Sequence, residues 1–142
     1  MMKKYLDSNV FIWPLLYEDK KADICKRIIF SLSKGKFIGY TSILTWDEVV
    51  YALRKQQGKF IAKEEGKRFL QLPKLIFIDA NYTIVLSAQK MIERYNLNPR
   101  DAIHAATALV NGIKEIISDD SDFEKIEGLK RIKLEEFSRK MA

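Results

Sequence analysis

The chain of 142 residues contains a single cysteine, Cys25, and a single histidine, His104. One cysteine excludes an internal disulfide and suits a reducing compartment, so the expected location is the cytoplasm. No cluster of His and Cys exists from which a zinc-type site could be built. The six glycines are scattered, and without a glycine-rich phosphate loop a nucleotide-binding fold is poorly supported. Long apolar runs are also missing. Stretches such as Ala105 to Val110 are far too short to cross a bilayer. The start Met1-Met2-Lys3-Lys4 breaks at Asp7 before a signal-peptide core can form. No membrane partner is expected.

What is present is ordinary for a globular chain: 47% hydrophobic and 31% charged residues. The length fits one domain over residues 1–142 with one hydrophobic core. The 25 Lys and Arg exceed the 19 Asp and Glu, for a net charge of +6, which favours polyanionic partners. Basic residues recur at Lys20-Lys21, Lys26-Arg27, Arg54-Lys55, Lys67-Arg68 and Lys130-Arg131. On charge alone, a solvated basic surface accounts for this pattern as well as a binding face does.

The apolar pattern predicts alternating strands and helices. Lys4-Tyr5-Leu6 reads as a first strand ending at Asp7. Ala22 to Ser33 carries Ile24, Ile28, Ile29 and Leu32 at helical spacing, closed by Gly35. Lys36 to Tyr40 reads as a second strand, with Thr41-Ser42 starting a helix through Trp46, Val49, Val50 and Leu53. After the polar turn Gln56-Gln57-Gly58, Phe60 to Leu72 continues as a helix that Pro73 stops. Leu75 to Ile78 is a strand and Asn81 to Tyr95 a helix. Asn98-Pro99 then starts another helix, which runs to Val110. Glu115 to Ile117 is a fourth strand, and Leu129 to Ile132 adds a short edge strand. This order predicts an α/β fold in three α/β/α layers with a mostly parallel sheet of four to five strands.

Four carboxylates fall where strand gives way to loop or helix: Asp7, Glu48, Asp101, and one of Asp119, Asp120 or Asp122. In open parallel sheets that rim is where ligands bind. Acids that converge without basic partners raise one another's pKa, and a hard divalent cation with oxygen ligands is the natural counter-charge. Each acid alone has a simpler reading. Asp7 can merely end a strand and begin a turn. Glu48 follows Thr45 by three residues, which matches a capping box of about 1 kcal/mol; a helix starting at Ser42 would remove that explanation. Asp101 suits the first turn of its helix by roughly 0.3–1 kcal/mol. Asp119, Asp120 and Asp122 can form a solvated turn. For His104, helix packing or hydrogen bonding is favoured over a catalytic base. For Trp13, Trp46 and Tyr51, core or interface packing is favoured over base stacking. Asp79, ending an apolar strand, suggests a phospho-acceptor receiver, but Asp7-Ser8 supplies only one of the paired acids that such a domain needs.

Taken together, four segments give the chain a resemblance to PIN-domain ribonucleases, and specifically to the VapC toxins of toxin–antitoxin pairs. They are Tyr5 to Val10, Thr41-Ser42 through Glu48-Val49, Arg100 to Ala106, and Ser118 to Phe123, in family order. The resemblance places the family's acids on Asp7, Glu48, Asp101 and Asp120, with Asp122 as an additional ligand used by some members. Asn9 and Ser118 match polar residues that orient these carboxylates. Asp119 is an extra acid within the fourth segment and leaves the fourth ligand open, while for Asp47 beside Glu48 the family's spacing from Ser42 favours Glu48.

The resemblance implies Mg²⁺ or Mn²⁺ held by Asp7, Glu48, Asp101, Asp120 and Asp122, and hydrolysis of RNA phosphodiesters by an activated water. It further implies a homodimer and an antitoxin that lays a peptide across the cleft. The competing expectations are a PIN-like module that binds RNA or protein without cutting, and an RNA-processing nuclease that is not a toxin. The segment around Arg54 to Lys59 is a candidate clamp for RNA or for a partner helix.

Overall fold

A computed structural model describes residues 2–141. Five strands form one sheet: β1 (Lys3–Leu6), β2 (Ile38–Ser42), β3 (Leu75–Ile78), β4 (Glu115–Ile117) and β5 (Lys130–Ile132). Their spatial order is β3-β2-β1-β4-β5 and every pairing is parallel. The helices are α1 (Ser8–Leu16), α2 (Lys20–Ser33), α3 (Leu44–Gln57), α4 (Lys59–Leu70), α5 (Tyr82–Tyr95), α6 (Pro99–Val110) and α7 (Leu134–Met141). A 3₁₀ turn spans Ser121–Lys125.

Successive side chains of a strand face opposite sides of the sheet, and both sides here are covered. On β1, Leu6 joins a core with Val10, Ile28, Val49 and Phe137, while Tyr5 joins another with Ile84, Ala105 and Phe123. Ile117 and Ile116 of β4 divide in the same way. The first core is roofed by α1, α2, α3, α4 and α7, the second by α5 and α6. The expected three layers and parallel sheet are therefore present. Cys25 is fully buried in the first core, and burial pushes its thiol up to about 12, as befits a small apolar residue.

Two glycines meet a conformational need. Gly35 has φ +71° and its amide donates to the Leu32 carbonyl, closing α2 as expected. Gly58, at φ +93°, lets α3 end and α4 begin with no intervening loop.

The elements differ from the sequence expectation in three places. The helix α1 follows directly on Asp7; Pro14 lies inside it, and a proline reads as a breaker because it removes the bond to the carbonyl four residues back. Thr41 and Ser42 end β2 rather than start a helix, and α3 begins only at Leu44. The last helix, α7, docks through Leu134 and Phe137, with Phe137 edge-on to Phe37 at 4.9 Å between ring centroids.

Candidate active site

The strand β1 lies between β2 and β4, so the chain departs to one side after β1 and returns on the other. That crossing point leaves a crevice beyond the strand ends. Asp7 occupies it. It is 4% exposed and caps α1, accepting from the Ser8 amide at 2.8 Å. Its other oxygen accepts from Asn9 Nδ2 at 3.2 Å and from the Ser118 hydroxyl at 2.6 Å. Ser118 also accepts from the Asp120 amide at 2.9 Å, so one hydroxyl ties the end of β1 to the loop after β4.

Asp120 caps the 3₁₀ turn, accepting from the Asp122 amide at 2.8 Å. Asp101 stands in the first turn of α6. Asn98 caps that helix through the Asp101 amide and donates its Nδ2 to Asp101 Oδ2 at 2.9 Å. Asp101, Asp120 and Asp122 each place a carboxylate oxygen within 4.8 Å of the other two. Asp119 points elsewhere and pairs with Lys21 at 2.6 Å.

Glu48 lies in the second turn of α3, which has no side-chain cap. Thr45 is inside the helix, and its hydroxyl is taken up by Thr41 at 2.7 Å, so the capping-box explanation of Glu48 does not hold. Glu48 Oε2 accepts from the Ser8 hydroxyl at 3.1 Å, and Oε1 meets His104 Nε2 at 2.5 Å. His104 Nε2 is also 3.9 Å from Asp7 Oδ1.

The electrostatics follow from burial and like charge. Burial raises the Asp7 carboxyl, against the pull of His104 and the Ser118 hydroxyl. Asp101 is pushed up to about 6 by burial and by the charges of Asp7, Asp120 and Asp122. For His104, burial opposes the charged form, but the Glu48 hydrogen bond and the charges of Asp7, Glu48 and Asp101 prevail and raise it. Burial, helped by Asp7 and Glu48, lifts the Tyr5 phenol well above its usual range against an opposing Ser42 amide. Among the described residues, no Lys or Arg pairs with Asp7, Glu48, Asp101 or Asp120.

The structure thus groups Asp101, Asp120 and Asp122, sets Asp7 and Glu48 beside His104, and links Asp7 to the Asp120 loop through Ser118. Asp79 is exposed at the end of the edge strand β3. Ser8, Tyr5 and Ser42 were not singled out from sequence: a tyrosine within an apolar strand reads as core, and nothing in the spacing reveals its hydroxyl partner. Trp46 and Tyr51 are exposed, at 38% and 56%, and do not join the core.

Comparison with known proteins agrees with this architecture. The curated relative Ribonuclease VapC6 of Methanocaldococcus jannaschii is 23% identical over 146 residues, covering 91% of this chain and 95% of its own. A crystal structure of VapBC2 from Rickettsia felis, bound to a DNA fragment from its promoter, superposes with TM-score 0.71 at 18% identity. The match covers 93% of this chain and 98% of that one. The sarcin-ricin-loop-cleaving toxin VapC20 of Mycobacterium tuberculosis matches with TM-score 0.70 at 16% identity, over 85% of this chain and 92% of its own. A family model described as "PIN domain" matches residues 4–129, nearly the full length of the chain. The chain therefore belongs to the PIN-domain family.

Proposed function

We propose that the protein is a divalent-cation-dependent endoribonuclease and the toxin of a VapBC-type pair. One observation carries this reading: Asp101, Asp120 and Asp122 bring their carboxylates within 4.8 Å of one another at the rim of the sheet, with Asp7 and Glu48 close by on His104 and no matching set of Lys or Arg among the described residues, in a PIN-family chain. Such a cluster is costly unless a cation offsets it.

The donor set fits a hard ion. All the acidic ligands are oxygen donors, the kind that Mg²⁺ and Mn²⁺ favour. Asn9 Oδ1 is the only buried side-chain oxygen or nitrogen among the described residues without a hydrogen-bond partner, and its own amide nitrogen donates to Asp7. A water in the shell of a hydrated ion would satisfy it. Asp101, Asp120 and Asp122 would hold the ion, with Asp7 and Glu48 completing the set. A bound divalent ion lowers the pKa of a coordinated water and offsets charge building on a phosphate. The remaining work falls to the protein. Ser8, Asn9 and Ser118 aim the Asp7 carboxylate, and Asn98 steadies Asp101. Exposed basic side chains on α3 and α4, Arg54, Lys59, Lys63 and Lys67, supply positive charge for an RNA backbone.

The toxin assignment is supported by the relatives, several of which were solved as toxin–antitoxin complexes. On α4, Phe60, Ile61 and Leu70 are exposed at 71%, 40% and 45%, an apolar surface suited to an antitoxin segment or to a second copy in a homodimer. Activity on cellular RNA implies a cytoplasmic location. Among the described residues no helix is long and apolar enough to cross a membrane.

The test is RNA cleavage by the purified full chain with Mg²⁺ or Mn²⁺ and with chelator. Cleavage is expected only with the ion, and Asp7→Asn should abolish it while the protein remains folded. Retained cleavage by that variant overturns the site assignment. Growth arrest on expression, relieved by the same substitution, separates a toxin from a processing enzyme.

A further inference from the structure

We propose that His104 and Tyr5 are positioning residues for Glu48, forming with the Ser42 amide a one-way hydrogen-bond chain that holds this carboxylate in place. The inference rests on the cation-dependent reading above and assigns roles within that site.

Glu48 needs such help more than the other acids. Asp7 and Asp120 are short side chains, each pinned by a backbone amide, from Ser8 and Asp122 respectively. Glu48 has one more rotatable bond and accepts from no backbone group. Its oxygens are held only by the Ser8 hydroxyl and His104 Nε2. A carboxylate left to choose its rotamer gives up affinity for whatever it must bind.

For a neutral imidazole the direction of the chain follows from its fixed end. The Ser42 backbone nitrogen can only donate, and it does so to the Tyr5 phenolic oxygen at 3.0 Å. The phenolic hydrogen is then free for His104 Nδ1, 2.6 Å away. With Nδ1 accepting, the neutral ring carries its hydrogen on Nε2 and donates it to Glu48 Oε1 at 2.5 Å; a protonated ring donates to Glu48 from the same nitrogen. Tyr5 and Ser42 are 0% exposed and His104 1%, so solvent cannot take over any link. The Tyr5 and His104 rings also meet edge to face at 5.7 Å, which fixes the imidazole plane. Backing of a ligand by an outer hydrogen bond is a recognised device in metal sites. Here the outer group is the chain's only histidine, planted one helical turn after Asp101.

A packing role and a positioning role predict different results. Mn²⁺ affinity is measured by calorimetry on the full chain, with thermal unfolding reporting that each variant folds. Replacing the histidine in His104→Leu should weaken Mn²⁺ binding by about 10- to 100-fold. In His104→Gln the side-chain amide donates near the lost Nε2, and binding should return to within about threefold of wild type. Tyr5→Phe should weaken binding roughly tenfold in the native background. It should do so less than about twofold in the His104→Gln background, where the amide needs no tautomer set for it.

Native affinity in folded His104→Leu overturns the proposal, as does an equal Tyr5→Phe loss in both backgrounds. If His104→Leu does not fold, the Tyr5→Phe and His104→Gln pair decides. A native chain that neither binds Mn²⁺ nor cleaves RNA overturns the nuclease reading instead. The chain of hydrogen bonds is then judged on metal-free protein by proton NMR of the single imidazole. A downfield, slowly exchanging Nε2 proton that moves in Tyr5→Phe upholds it, and absence of that proton overturns it.

Discussion

Lys21 reaches from the first turn of α2 to the Asp119 carboxylate at 2.6 Å, while its ammonium lies 4.2 Å from the centre of the Trp13 ring. This contact separates Asp119 from its neighbours. The acid that precedes Asp120 serves as an outer tether between the α2 side and the loop after β4, and the acids that follow turn inward.

Substitution should therefore distinguish the two adjacent aspartates. Asp119→Asn is expected to leave RNA cleavage within about threefold of wild type, because a half-exposed ion pair contributes little, about 0–1 kcal/mol. Asp120→Asn removes charge from the cluster and should reduce the turnover rate by at least about 100-fold, as for loss of a group that steadies reaction charge. Steady-state cleavage of a short single-stranded RNA reads both. Equal losses would mean that the loop is assigned wrongly.

Acid titration gives a second check, on the metal-free protein. The Asp101 carboxyl is lifted to about 6 by burial and by Asp7, Asp120 and Asp122. A folded pKa above the unfolded value favours the fold at low pH, and that contribution is lost as pH rises through about 6. With chelator present, the unfolding midpoint should carry a downward contribution between about pH 4 and pH 7, which Asp101→Asn removes. Added Mn²⁺ should restore the midpoint at neutral pH, since a ligand that binds only the folded state stabilises it. A slope unchanged in Asp101→Asn would rule out this origin.

The basic end of α3 offers a third. Arg54 and Lys55 are exposed in its last turn. Their joint replacement by alanine should weaken RNA binding and lower the slope of log affinity against log salt by about 1.4, roughly 0.7 for each lost contact on a single strand. Fluorescence anisotropy across a salt series measures it, and an unaltered slope would remove these residues from the RNA path.

A fourth concerns the last helix. Phe137 is 2% exposed and packs edge-on against Phe37. Phe137→Ala should cost about 3–5 kcal/mol of stability, read by urea unfolding. A loss below about 1 kcal/mol would show that α7 is not part of the cooperative core.

Much of this arrangement could be read from the chain before any coordinates. The runs Leu75 to Ile78 and Glu115 to Ile117 announce buried strands, and Asn98-Pro99 announces a helix start, because these signals are local. The helix after Asp7 was hidden by Pro14, whose usual effect is to break a helix; the tertiary contacts of Val10 and Phe11 outweigh the lost backbone bond. The acids at the rim were legible from their place after strands and from the family resemblance. Which of Asp119, Asp120 and Asp122 turns inward was not. That depends on Lys21, 98 residues away in sequence. The pairing of Tyr5 with His104 was hidden for the same reason, since they stand 99 positions apart.

The neighbour of β1 on one side is β4, and the hydroxyl that fastens Asp7 comes from a residue 111 positions later. A chain still emerging from the ribosome has made Asp7, Glu48 and Asp101 before it has made Ser118 or Asp120. Parallel topology thus acts as a timer. The proposed centre cannot close until the stretch that carries Ser118, Asp120 and Asp122 has left the ribosome.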